Sequence, residues 1–307
     1  GSYAHPLIFL FLGGFLISIA LQKWGLHRRF AVSLLRRVGT RPDRLVAGFM
    51  VATAFLSMWL SNTATTIMML PIALSVISDR DDSAGFATCL LLAIAYSASI
   101  GGMATLIGTP PNLFVASYFS DALGKEIGFV TWMMIGVPCA ALLLPATWFY
   151  LTRLHFPEVS RITAAGVLPG GTGLAWRDLD AGARIALVVF SLVAGGWMLR
   201  PLVAEITWFG HTPFANLSDA GIALVGALAL FCLPVNFADR KFVLEWPDTV
   251  EVPWGTLLLF GGGLSLAASI NATGADQIIG QWFSRLPVVN ALLLALAIVA
   301  LVIFLTE

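Results

Sequence analysis

The sequence predicts an all-α polytopic membrane protein, on three observations. Its 307 residues are 58% hydrophobic and only 11% charged, whereas a soluble domain carries about 25% charged residues to keep its surface wet. Apolar runs recur at about the 20-residue length that a bilayer core demands: His5 to Gln22, Gly85 to Ile107, Val130 to Leu151, Ile185 to Leu199, Ala220 to Val235 and Trp254 to Ile270. None shows the alternation of a barrel strand, and a helix satisfies its own backbone in lipid. The formal net charge is +0, so the total points to no nucleic-acid partner. Cys89, Cys139 and Cys232 sit inside apolar runs, where lone thiols behave as small hydrophobes.

The first span, 1–22, begins close to Gly1 without the basic region of a signal peptide, and the last run stops at Glu307 without a flanking loop. Both ends therefore read as cut, with functional parts expected outside them. Residues 23–44 carry Lys23, Arg28, Arg29, Arg36, Arg37, Arg41 and Arg44 among Leu26, Phe30, Val32, Leu34 and Leu35. That pattern predicts an amphipathic helix lying in the interface, with a plain anchoring loop as the alternative. If this stretch is cytoplasmic, Arg80, Arg153, Arg161, Arg177, Arg184, Arg240 and Lys241 fall on the same side and only Lys125 and Arg285 opposite, with Arg200 at a span end unassigned. The positive-inside bias supports this orientation.

Residues 45–78 are free of charge, yet their middle reads Leu60-Ser61-Asn62-Thr63-Ala64-Thr65-Thr66. Two short apolar arms around a polar tip predict a re-entrant hairpin whose tip is buried in protein or lines a wet cavity; two short full spans are the alternative. A second interruption, Gly108-Thr109-Pro110-Pro111-Asn112, predicts a broken helix over 84–115, because adjacent prolines remove two donors. An ordinary loop at the span end competes with it. A helix over 130–152, a cytoplasmic loop over 153–184 and spans over 185–270 follow. An offset of 249 residues then pairs Leu10-Phe11 with Leu259-Phe260, Gly13-Gly14 with Gly262-Gly263, Gly25 with Gly274, Arg36 with Arg285 and Phe55-Leu56 with Phe304-Leu305. With the assigned orientation, this is an inverted-topology repeat.

The hairpin and the broken helix hold no carboxylate, lysine or histidine for a proton relay over 45–77 and 85–116. Neutral oxygens remain. Ser57, Ser61, Asn62 and freed backbone carbonyls could surround a small hard cation, with Gly108 allowing close approach. Helix arms restarting after Thr63 and after Pro111 present free N–H groups to an anion, and the two opposite charges would neutralise each other. Simple helix capping by Ser61, Asn62 and Thr63 is the competing reading. His5, His27, His155 and His211 show no metal spacing. Trp24, Trp132, Trp176, Trp208 and Trp254 fit interfacial belts. No Gly-x-Ser-x-Gly, Walker or His-Glu-x-x-His motif occurs, and an intramembrane enzyme with Ser61 as nucleophile lacks a base in the hairpin.

Three segments carry a family resemblance: Thr53 to Thr65 with its Ser61-Asn62-Thr63 tip, Ser99-Ile100-Gly101-Gly102 running to Gly108-Thr109-Pro110-Pro111-Asn112, and Phe304-Leu305-Thr306-Glu307. The chain resembles the divalent anion/sodium symporters. The resemblance implies an inverted-repeat elevator-type transporter with re-entrant helical hairpins and interfacial arm helices, working as a homodimer in a bacterial inner membrane. It implies a scaffold helix at 1–22, an arm helix at 23–44, a transport domain at 45–152, scaffold helices at 185–270, a second arm helix at 271–289 and the start of a second hairpin at 290–307. By the same resemblance Ser57, Ser61, Asn62 and Gly108 bind a first sodium ion and Thr306 begins a second site. Ser61, Asn62, Thr63, Thr109 and Pro110 face the substrate. The implied activity is sodium-coupled symport of C4 dicarboxylates such as succinate, with no cofactor beyond sodium as coupling ion; sodium-independent exchange, or citrate or sulfate transport, are the alternatives. The second hairpin and the opening helices of the family pattern are absent from 1–307, so the chain is not expected to transport alone.

Overall fold

A computed structural model describes residues 2–78, 84–124, 126–160, 175–205, 214, 216–238, 240–275, 277–278, 281 and 291–306. They fall into two compact units, Ala4–Phe260 and a second formed by Gly1–Tyr3 with Gly261–Glu307. Arg80, Lys125, Arg161, Trp208, His211 and Arg285, most of the second arm helix expected over 271–289 and the middle of the 153–184 loop lie outside the described residues.

In the larger unit, Pro6 opens α1 (Pro6–Lys23) where its missing N–H is not needed, and His5 Nδ1 accepts from the Leu7 N–H at 3.3 Å. Gly25, at φ +64°, turns the chain through the left-handed region that side chains avoid, and α2 (Leu26–Val38) follows. It is amphipathic as expected, burying Leu26, Ala31, Val32 and Leu35 while Arg28, Arg36 and Arg37 are exposed. This helix is shorter than the predicted 23–44, because Pro42 begins α3 (Pro42–Ser57) with its φ already helical. Asp43 is buried in that first turn, where its carboxylate takes the Arg44 N–H at 2.9 Å and faces Arg41 at 3.3 Å and Arg153 at 3.8 Å. The positive end of α3 and the two cations make a buried acid tolerable there.

After a turn at Met58–Ser61 the chain returns in α4 (Asn62–Ser78). At 16 and 17 residues, the two arms are about 24–26 Å long, short of the roughly 30 Å hydrocarbon core. The turn is packed in protein, with Trp59 7% and Leu60 1% exposed. α5 (Ala84–Gly102) packs against both α3 and α4, and α6 (Pro110–Leu123) follows the second interruption. That interruption differs from the expectation. The helix stops at Gly102, and turns occupy the chain up to Thr109. The Asn112 amide explains the early stop, since it donates to the Gly102 carbonyl at 2.9 Å and the Thr105 carbonyl at 2.7 Å and so takes acceptors that a continuing helix would use. The second segment also runs beyond residue 115, to Leu123.

α7 (Phe129–Phe149) continues through a π-helical turn at Tyr150–His155, giving a largely apolar helix of 27 residues in place of the expected 130–152. Met134, Ile135 and Leu142 on it are 66–74% exposed, which suits lipid and not water. α8 (Ala181–Ala204) and α9 (Asp219–Cys232) follow. Gly13 of α1 lies so close to α9 that a Cβ would stand 2.7 Å from the Ala223 backbone, the small-residue crossing that lipid-soluble bundles favour. Arg200, unassigned by charge counting, pairs with Asp219 at 3.0 Å, and Asp219 accepts from the first N–H of α7, Phe129, at 3.0 Å. One departure from all-α is a short antiparallel pair, β1 (Pro234–Asn236) and β2 (Lys241–Phe242), closed by a turn in which Arg240 has φ +50°. Too short to show alternation, it left no sequence signal.

α10 (Trp254–Thr273) leads into the second unit, which holds α11 (Ala291–Thr306). There the Tyr3 ring lies against Gly261. Gly274 has φ +69°, matching Gly25 at the paired position of the 249-residue offset. Among the described residues, five helices are long and apolar enough to cross a membrane: α1, α5, α7 with its π-turn, α8 and α10.

Candidate functional site

The two chain interruptions are stitched together. Ser57 ends α3 fully buried, its Oγ 2.7 Å from the Ala98 carbonyl of α5 and 2.7 Å from Oδ1 of Asn62, the first residue of α4. Thr105, in the second interruption, donates its hydroxyl to the Met58 carbonyl in the first. Asn62 in turn occupies the space that a side chain at Gly102 would need, a Cβ there standing 2.3 Å from Oδ1. Gly108 folds back on the same residue, its own Cβ position 2.4 Å from the Gly102 carbonyl. Ser57, Asn62 and Gly108 are thus gathered around the C-terminus of α5.

Ser61 is the N-cap of α4. Its Oγ accepts from the Ala64 N–H at 3.2 Å and its carbonyl from the Thr65 N–H at 2.9 Å. The N–H groups of Asn62 and Thr63 precede the first bond of the helix and meet no acceptor among the described residues. Ser61 and Asn62 are half-buried and Thr63 is exposed. The expected donors of α6 are a different case. Its first two residues, Pro110 and Pro111, have no N–H, and the Asn112 N–H is taken by the Thr109 carbonyl at 3.2 Å. The expectation of free N–H groups at both restarts therefore holds for α4 alone; α6 brings its dipole and the half-buried Thr109, in extended backbone at φ −150°. Thr306 closes α11 in the other unit, and its side chain lies outside the described residues.

Charge is supplied here by helix ends. α3 and α5 bring their negative C-termini to the junction and α4 its positive N-terminus, with no ionised side chain in either interruption. The Ser57 hydroxyl has one hydrogen for two oxygens at 2.7 Å. Two arrangements satisfy the trio: the Asn62 amide turned to offer its NH2, or a cation held against the three oxygens. A set of neutral hard oxygens fits an alkali cation and offers a softer metal neither thiolate nor imidazole. Of the freed carbonyls expected to serve such an ion, Met58 and Trp59 are engaged, the latter by the Ser18 hydroxyl at 2.6 Å.

Sequence reasoning missed Ser18, Ala98, Gly102 and the stapling role of Asn112. It also missed Thr53, Thr65 and Ser97, fully buried hydroxyls with no hydrogen-bond partner among the described residues. The Gly101-Gly102 pair and an asparagine directly after two prolines were the available signals.

The profile of the family described as citrate transporter matches residues 1–307. The chain belongs to that family. This family member is also 36% identical over 324 residues to the sodium-dependent dicarboxylate transporter SdcS of Staphylococcus saprophyticus, covering 100% of the chain and 60% of the relative. SdcS of Staphylococcus aureus strain NCTC 8325 is 35% identical over 315 residues, covering 96% and 58%. The chain spans about three fifths of the length of these curated relatives. Membership agrees with the resemblance to divalent anion/sodium symporters, and with helices of spanning length it makes this an integral membrane protein of a transporter family.

Proposed function

We propose that the protein to which this chain belongs is a sodium-coupled symporter of dicarboxylates, with C4 dianions such as succinate as its substrate. One observation carries the reading: a partly buried, uncharged oxygen cluster at Ser57, Asn62 and Ala98 adjoins the N–H groups of Asn62 and Thr63, which meet no acceptor among the described residues. Ser57, Ser61, Asn62 and Gly108 hold the first sodium ion, and Thr306 begins the second site. Ser61, Asn62, Thr63, Thr109 and Pro110 take the carboxylates. A dianion alone deep in the bilayer is costly, so the cation beside it makes joint binding favourable and separate binding poor. The printed names of the relatives, sodium-dependent dicarboxylate transporters, point the same way.

Arms too short to span support the re-entrant hairpin, and the left-handed Gly25 and Gly274 support the inverted repeat. On that plan 45–152 is the part that moves, 1–22 and 185–270 belong to a dimeric scaffold, and the protein works as an elevator in a bacterial inner membrane. The family description favours citrate as the second substrate to consider. Uptake of labelled succinate by the full-length protein in proteoliposomes tests the reading. An inward sodium gradient is expected to drive accumulation that a potassium gradient does not, with citrate competing weakly. Rates indifferent to sodium contradict symport and leave exchange.

A further inference from the structure

Ser18 lies in the middle of an apolar span and is 5% exposed, yet its hydroxyl donates to the Trp59 carbonyl at 2.6 Å across 41 residues of sequence. Trp59 sits between Ser57 and Ser61, at the summit of the turn that carries the proposed ion site. Its ring is held as well, edge-on to Phe190 of α8 with centroids 5.0 Å apart and stacked near Phe129 at 6.1 Å. Phe129 stacks in turn on Trp197 at 4.5 Å. The four-residue turn thus has two carbonyls tied from outside the hairpin, Met58 by Thr105 and Trp59 by Ser18.

A carbonyl that accepts a short hydrogen bond is turned toward its donor and away from an ion placed elsewhere. We propose that Ser18 is a positioning residue for the cation in the conformation of this structure, from which a sliding 45–152 would release it: by holding the Trp59 carbonyl on the α1 side, it fixes the turn so that the Ser57 and Asn62 oxygens face the site. Ser18 never touches the ion. It sets the geometry of the groups that do, as a supporting hydrogen bond sharpens a binding constellation. The inference rests on the sodium reading of the site and adds to it a residue from the first helix, which no motif of the hairpin contains.

The test is the sodium dependence of thermal stability of the purified full-length protein, with potassium holding ionic strength constant, for wild type, Ser18→Ala and Ser18→Thr. Losing one buried hydrogen bond is expected to raise the half-maximal sodium concentration about three- to tenfold in Ser18→Ala. Ser18→Thr, which keeps the hydroxyl, restores it. Melting in potassium alone separates a general loss of stability from a loss of sodium response, because a merely structural serine lowers both curves together and leaves the half-maximal concentration in place. That result overturns the inference while leaving the sodium site intact. A wild type whose melting ignores sodium overturns the site and, with it, the role of Ser18.

Discussion

Gly102 shows what single residues decide here. With no side chain, it leaves room for the Asn62 amide, and a Cβ would stand 2.3 Å from Oδ1. Overpacking of this kind costs about 1–3 kcal/mol, so Asn62 shifts rather than stay in contact with Ser57. Gly102→Ala is expected to cut sodium-driven uptake by about tenfold or more, whereas Gly195→Ala, at a position with nothing within 4 Å, leaves it unchanged. Equal uptake by the two variants in proteoliposomes contradicts the packing of Asn62 on Gly102. Ser57, Ser61 and Asn62 were legible in the sequence because polar residues stand out in an apolar stretch. The Ala98 carbonyl was not, since every residue has one, and Ser18 looked like any hydroxyl within a span.

At the scale of elements, α1, α3 and α6 begin at prolines as the chemistry of that residue favours, although only the Pro110-Pro111 pair was read that way in the sequence. Ends were harder to see. α5 stops at Gly102 because of an amide ten residues away, a tertiary contact that no local pattern records. α2 is a further case. Its basic, amphipathic pattern was plain, but the docking of its first turn was not: His27 lies near the Leu21 carbonyl at 3.4 Å. Burial, reinforced by Arg28 and opposed by that carbonyl, lowers the His27 pKa below its ordinary 6.5. The unfolded chain then binds the extra proton first, so this residue's contribution to stability is full above pH 6.5 and is lost as pH falls through the lowered folded value. Thermal melting between pH 7.5 and pH 5 is expected to lose more stability in wild type than in His27→Gln. Parallel curves contradict a half-buried, neutral His27.

For the molecule as a whole, composition alone placed the chain in lipid, and that solvent explains the remaining choices. Where water cannot satisfy a carbonyl or an N–H, a broken helix survives only if other protein groups or a ligand complete it. Thr105, Asn112 and Ser18 complete some of the groups at the two interruptions; in the proposed function the Ser57 and Asn62 oxygens and the first N–H groups of α4 serve ions of opposite sign. The second compact unit had no signal in the sequence, and the inverted repeat belongs to the proposed plan, supported by the left-handed Gly25 and Gly274 at paired positions.

If one turn serves both ions, each must tighten the other by the same factor. The most direct test is calorimetric titration of succinate into the purified full-length protein at increasing sodium, in wild type and Asn62→Ala. Succinate affinity is expected to rise steeply with sodium in wild type, and Asn62→Ala is expected to weaken both ions together. Succinate binding with one affinity at every sodium concentration, or an Asn62→Ala variant that loses succinate while keeping its sodium affinity, contradicts a shared site.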